Sequence, residues 1–369
     1  MGIGDSEQSS RLSLHVVSSH PRSPLPVPRS LIVCHSPNES NCGIGVYGKQ
    51  LDAEFTALGA SVQQFTFRQP AEIVRAAEAA PESVLLVHAE PAFFGSDYGF
   101  MDVLDSAREN AGAKVVFCCH WFSPAFAERW SPHVDAFVTH REYADLSGSC
   151  RVVVIPLGCS TYVPSRDRLD MRVKYNLPLD STIMTTLGFL AKWKRFPVAV
   201  NEVMKRLQGT KKMFLQILTP FPHHGDVDRQ MPEMLRVLSR YATPYYFSTD
   251  FRPDTELLDR VYLSDLGFLF HGQDTGSVSA ATKTFVSART PLVVTKSTHA
   301  SDLSGGVLRV NDLDPASFAE VVVAAATTPS FLNGLRSEME SEYERVNMAA
   351  VARQYETLFD DLTGVTHHE

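Results

Sequence analysis

Three stretches of this chain carry residue types suited to an anionic ligand, and each falls where an apolar run hands over to a helical pattern. The first, Gly43-Ile44-Gly45-Val46-Tyr47-Gly48, is a literal Gly-x-Gly-x-x-Gly. In a dinucleotide fold the first glycine directly follows the strand, and an acidic residue ending the next strand holds a ribose hydroxyl. Here Ser36 to Asn41 intervene, and the next strand ends Phe65-Thr66-Phe67-Arg68, so the context argues against NAD. The glycines still let a backbone approach a ligand closely at a helix start, the plain alternative being a tight turn. The second stretch, Leu187-Gly188-Phe189-Leu190-Ala191-Lys192-Trp193-Lys194, places a lysine at a strand end. There it can neutralise a diphosphate or simply lie solvated on the surface. The third, Gly272-Gln273-Asp274-Thr275-Gly276-Ser277-Val278-Ser279, enters a helix containing Lys283 and Thr284. Backbone N–H groups at the positive end of a helix form a phosphate seat, and Ser277 or Ser279 as N-cap is compatible with that role.

His120 ends an apolar strand, where an imidazole can hydrogen-bond a sugar hydroxyl or serve only the core. His88 and His140 also end strands, while His223-His224 sit in a loop. No nucleophile–base pair stands out, and no carboxylate pair has a spacing that implies hydrolysis. The six cysteines (Cys34, Cys42, Cys118, Cys119, Cys150 and Cys159) include no Cys-x-x-Cys pair. Cys34, Cys118 and Cys119 lie inside apolar runs, which reads as buried thiols in a reducing compartment. A metal site built on Cys118, Cys119 and His120 is the alternative, but adjacent strand residues point to opposite faces, so no metal is expected.

The elements around these residues alternate. Apolar runs at Leu31–Cys34, Ser61–Phe67, Ser83–His88, Lys114–Cys119, Ala136–Val138 and Val152–Ile155 read as strands. Tyr47, Leu51, Phe55 and Leu58 recur at helical spacing, as does the stretch from Ala71 to Ala80. Strands apolar throughout and separated by helices indicate a parallel sheet covered on both faces. A change of character at Val163–Ser181, with Pro164, the charged run Arg166-Asp167-Arg168 and Leu177-Pro178, marks a connection. Alternation then restarts, with strands at Thr182–Leu187, Met213–Leu218, Tyr245–Phe247, Leu266–Phe270 and Pro291–Thr295. Helices are expected at Val198–Leu207, Met231–Tyr241, Glu256–Tyr262 and Ser277–Ala288, and a final one over Ser341–Leu362. The expected organisation is a disordered tail over 1–28, a Rossmann-like domain over 29–162, a second over 163–344, and a helix in 345–369 returning to the first.

With 369 residues, 44% of them apolar, the chain can bury two cores. A net charge of −8 argues against a non-specific nucleic-acid binder, and Lys205, Arg206, Lys211 and Lys212 form only a modest basic cluster. No run approaches the length of a membrane span, and the first 28 residues lack the apolar region of a signal peptide. The expectation is a cytoplasmic protein, peripheral at a membrane at most. Two doubly wound domains leave a cleft between the carboxyl ends of their sheets, suited to a reaction between two substrates shielded from water.

The ordered motifs resemble family 4 retaining glycosyltransferases, which have the GT-B fold. Asn41-Cys42-Gly43-Ile44-Gly45-Val46-Tyr47 is similar to the family's CGIGxY loop, and Ile155-Pro156-Leu157-Gly158 to its IPxG crossover. Arg172 to Pro178 resembles the lead into the second domain, Leu187-Gly188-Phe189 with Lys194 the GxLxxxK segment, and Thr290-Pro291-Leu292-Val293-Val294 the GxPVV strand. The last helix resembles the family's tail, so the likeness runs from about residue 30 to 362. It implies a sugar moved from a nucleotide-diphosphate sugar, with retention and without an essential metal or other cofactor. Hexosyl or pentosyl transfer would go to a lipid, a glycan, a small metabolite or a modified nucleobase. Gly43 and Gly45 would line the cleft, His120 would contact the donor sugar, and Lys194 the diphosphate. Gly276, Ser277, Val278 and Ser279 would hold phosphate and sugar through their backbone. Two departures stand out. The family's arginine paired with that lysine is Phe189 here, and its two glutamates fall at Gly276 and Thr284. Asp274 and Lys283 are the residues placed to compensate. The rivals are a non-catalytic GT-B-like binding subunit and a sugar-nucleotide epimerase on the same fold.

Overall fold

A computed structural model describes residues 29–35, 43–90, 99–143, 151–220, 227–250, 252, 254–273 and 276–365. Its strands form two six-stranded parallel sheets. The first contains β1 (Ser30–His35), β2 (Ser61–Thr66), β3 (Val84–Ala89), β4 (Lys114–Cys119), β5 (Ala136–Thr139) and β6 (Val152–Val154), in the order β2-β1-β3-β4-β5-β6. The second contains β7 (Thr182–Leu187), β8 (Met213–Leu218), β9 (Tyr245–Ser248), β10 (Leu266–Leu269), β11 (Leu292–Thr295) and β12 (Val307–Val310), in the order β12-β11-β10-β7-β8-β9. Burial of Leu31 to His35, of Val115 to Cys119 and of Leu266 to Leu269 explains their continuous apolar runs. Both faces of each sheet are covered, so neither side of a strand can be polar along its length.

Strand order reverses once in each sheet, between β1 and β3 and between β7 and β10. At such switch points the two flanking loops leave in opposite directions and open a crevice at the carboxyl ends of the strands. Ahead of the first crevice stands α1 (Gly43–Ala57), which buries Tyr47, Leu51 and Phe55 against the sheet. Leu58 lies beyond its end and is 40% exposed, so the helical spacing runs one residue past the helix.

The terminal helix expected over Ser341–Leu362 is two helices, here α11 (Pro329–Val346) and α12 (Met348–Thr363). Asn347 breaks them, with φ −60° and ψ 154°, and its side chain caps α12 by accepting from Ala350 N at 2.9 Å. The break has a tertiary cause. Cys159 N donates to Val346 O at 2.8 Å and Met348 N to Cys159 O at 3.0 Å, tying the two chain crossings together. Beyond the break, α12 turns back on the first sheet and buries Val351, Tyr355, Leu358 and Phe359 beside Phe55 and Leu51. Five further helices and strands escaped the sequence pattern: α3 (Gly99–Ala111), α4 (Pro124–Trp130), α5 (Arg168–Lys174), β12, and α10 (Pro315–Ala326). Helix α10 packs Phe318, Ala319 and Val322 into the second core, so its length is apolar on more than one side and its period is blurred. No single helix among the described residues is long and apolar enough to cross a membrane, and α10 and α11 together are bent by 93°.

Candidate functional site

Between the sheets lies a cleft of about 610 Å³. Its walls come from the carboxyl ends of both sheets, because the loops after β7 and β10 flank the second switch point and face the loops of the first. Gly43, His120, Lys194, Ser277, Val278, Ser279, Lys283 and Thr284 all line it. Gly45 does not: it is buried within α1, whose cleft-lining residues are Gly43, Ile44, Val46, Tyr47 and Gln50. The third glycine of that motif carries the clearest steric requirement, since a Cβ on Gly48 would meet His35 Nδ1 at 2.4 Å and His88 Nε2 at 3.1 Å.

Lys194 ends a single 3₁₀ turn (Lys192–Lys194) and is only 8% exposed. Burial lowers its ammonium to about 8, so the charge is held where water supports it poorly. Gly188, just past β7 and at φ +120°, makes room for it, because a Cβ there would stand 2.8 Å from Lys194 Nζ. The neighbouring Phe189 is 38% exposed on the same wall.

The third motif straddles the interdomain contact. Helix α9 (Ala280–Ser287) begins at Ala280, three residues later than its expected start at Ser277. Before it the chain bends at Gly276 and Ser277, with Gly276 at φ +76°, and Ser279 N donates to His299 O at 3.0 Å. Gly276 presents its carbonyl to that domain, accepting from Arg141 Nε at 3.2 Å and Tyr143 OH at 3.4 Å. Val278 packs against the first domain's core while also lining the cleft. Asp274 lies outside the described residues. Lys283 is engaged elsewhere: its Nζ sits 2.6 Å from Asp302 Oδ2, both side chains being buried. Asp302 also accepts from Leu157 N at 3.3 Å, so this pair braces the crossover segment and is not an open phosphate ligand. Thr284 lines the cleft with its hydroxyl 3.4 Å from Ala280 O.

On the opposite wall, burial together with His140 and His88 pushes His120 well below its ordinary value, so it is a neutral imidazole. Sequence reasoning did not single out Glu90, Asp250 or Arg252, which also line the cleft. Burial raises the Glu90 carboxyl. Arg252 donates to Ser248 Oγ at 2.8 Å and pairs with Glu256. Glu90 had a legible signal, an acidic residue directly after an apolar strand at a switch point. Asp250 and Arg252 had none, since nothing in a loop's composition says which way it faces.

No family model matches the chain, and no curated protein matches it in sequence. Solved structures do match in shape. Anabaena Alr3699/HepE in complex with UDP and glucose superposes with a TM-score of 0.66 at 11% identity, covering 90% of this chain and 100% of that one. Sucrose-phosphate synthase from Thermosynechococcus elongatus gives 0.70 at 13%, covering 92% and 100%. A UDP-forming α,α-trehalose-phosphate synthase from Burkholderia xenovorans gives 0.62 at 14%, covering 91% and 99%. With two parallel sheets facing across a cleft and a C-terminal helix returning to the first, the chain has the GT-B fold.

Proposed function

We propose that this chain is a glycosyltransferase that moves a sugar from a nucleotide-diphosphate sugar to a separate acceptor. UDP-sugars are the first donors to try, because structural neighbours are complexed with UDP or UDP-glucose. The observation that carries the reading is the meeting of Lys194 and the start of α9 in one cleft at the second switch point. The departing diphosphate gains negative charge as its bond to the sugar breaks. A poorly hydrated ammonium and preorganised N–H groups stabilise that charge without needing to reorganise. At the start of α9, Ser279 N is held by His299 O and Thr282 N by Ser279 O, which leaves the N–H groups of Ala280 and Ala281, both on the cleft wall, to meet the diphosphate. With these donors on the diphosphate, the transfer itself has no need of a divalent cation there. The second domain therefore holds the donor, and the first presents the acceptor and, through His120, contacts the donor sugar. Retention of configuration rests on the resemblance of the motifs.

Lys194→Ala tests this directly. With UDP-glucose and a panel of other nucleotide sugars at saturation, UDP release should fall by at least about tenfold, the loss of one charge-assisted contact. A folded variant that releases UDP as fast as the parent refutes the assignment. Phe189 and the pinned Lys283 favour a second reading, a nucleotide-binding subunit that does not turn over. UDP binding without release of UDP from any donor would select it.

A further inference from the structure

Four side chains converge beneath the first domain's wall of the cleft, and strand parity explains why. In the β3–β4 ladder His88 is level with Cys118, and in the β4–β5 ladder Cys118 is level with Val138. His120 and His140 each follow two residues beyond Cys118 and Val138. With a period of two, all four point to the same side of the sheet. Cys119 points to the other side, where its thiol is directed to Phe117 O.

Three of the separations match those between ligands of a tetrahedral ion, with His140 reaching the group from beside Cys118. His88 Nδ1 lies 3.3 Å from His120 Nε2, and Cys118 Sγ lies 3.7 Å from His120 Nε2 and 3.8 Å from His140 Nε2. The ligand atoms of His88, Cys118 and His120 all fall within 4.8 Å of one another. Around zinc, with Zn–N about 2.0–2.1 Å and Zn–S about 2.3 Å, tetrahedral angles put nitrogens about 3.3 Å apart and nitrogen from sulfur about 3.6 Å.

Hydrogen-bond accounting points the same way. His140 Nδ1 faces the carbonyl of Ile155 at 3.0 Å, and a carbonyl only accepts. That nitrogen is therefore the protonated one, and Nε2 offers a lone pair to the cluster. Tyr355 OH donates to Cys118 Sγ at 3.0 Å, the kind of contact that supports a thiolate ligand. The ring of Tyr47 stands edge-on to His88, His120 and His140 and closes the side of the cluster. His120 and His140 also line the cleft, which supplies an entry path.

We infer that His88, Cys118, His120 and His140 form a binding site for a zinc ion. Three imidazoles and a thiolate select a borderline, soft-tolerant cation such as Zn²⁺ over Mg²⁺ or Ca²⁺, which take oxygen ligands. Binding expels the thiol proton and forms the Zn–S bond, leaving a site of net charge +1. The ion takes Nε2 of His120 and so leaves Nδ1–H as that ring's donor, fixed in one tautomer. Only this last consequence rests on the sugar-transfer reading, where it would orient His120 towards a donor hydroxyl.

The test uses the full chain, stripped with a chelator and titrated with Co²⁺ as a spectroscopic probe. The expected result is saturation at one equivalent, with the visible bands of tetrahedral cobalt and a thiolate-to-cobalt charge-transfer band, both abolished by adding Zn²⁺. Cys118→Ser should lose the charge-transfer band, His140→Gln should weaken binding by at least about tenfold, and Cys119→Ser should match the parent. Circular dichroism on each variant separates loss of the site from loss of fold. A folded parent showing no charge-transfer band overturns the inference, as does a Cys118→Ser protein that retains it. Because the readout is a spectrum, its failure leaves the proposed sugar transfer standing, and failure of the transfer leaves the metal site standing.

Discussion

Replacing Lys194 by Met should make this protein more stable and a poorer binder of nucleotide at the same time. Burial lowers the ammonium from 10.5 to about 8. The unfolded chain therefore holds this proton more tightly than the folded one, and at about pH 7 the folded state bears a cost of up to about 3 kcal/mol for keeping Lys194 charged. The sign follows from proton counting. Between about pH 8 and 10.5 the unfolded state binds more protons, so stability rises with pH through that window, and below about 8 the cost is constant. Met fills the same space without a charge and removes the cost. Urea unfolding of parent and Lys194→Met should differ by up to about 3 kcal/mol at about pH 7 and by only about 1 kcal/mol at about pH 9.5. Calorimetric titration with UDP should show the opposite order, the variant binding about tenfold or more weakly near neutrality. In the parent, UDP affinity should decline above about pH 8 as the free protein loses its ammonium, by up to tenfold per pH unit. A Met variant less stable than the parent at neutral pH, or a stability gap that does not narrow on raising the pH, would refute the desolvation argument.

Three further substitutions probe the neighbouring geometry. Gly188→Ala imposes a side chain at φ +120° and 2.8 Å from Lys194 Nζ. It should cost about 1–3 kcal/mol in urea unfolding and weaken UDP binding as the lysine is displaced. Lys283→Met alone strands buried Asp302 and should destabilise by about 3–5 kcal/mol, whereas Lys283→Met with Asp302→Leu should recover most of that loss. A double variant no better than the single would show that Asp302 matters through Leu157 rather than through Lys283. Phe189→Arg places a guanidinium on the cleft wall beside Lys194 and should tighten UDP binding by about tenfold, measured by the same calorimetry. Unchanged or weaker binding would place the diphosphate elsewhere in the cleft.

The sheet strands were the most legible part of the chain, because a strand buried on both faces has to be apolar throughout and Leu31–Cys34 or Lys114–Cys119 can hardly be anything else. Strand-end residues were legible for a related reason. Once a parallel sheet is granted, ligands gather at its carboxyl edge, and Lys194, His120 and Ser279 sit at such edges. Where helices begin, break and face was decided by partners distant in the chain. Helix α9 starts at Ala280 after a bend that Gly276 makes at φ +76°, and α11 ends at Val346 because Cys159 pairs across the break. Lys283 looked available in sequence, and only packing brought Asp302 to within 2.6 Å of it.

The sequence alone thus settled the layer architecture and the edge on which chemistry would collect, since both follow from local hydrophobic period and strand parity. It could weigh Cys118 only against its neighbours in the chain, Cys119 and His120, of which Cys119 lies on the other face of the sheet. His88 and His140 join Cys118 through the registers of β3, β4 and β5, and those registers are fixed by long-range pairing that no local pattern encodes.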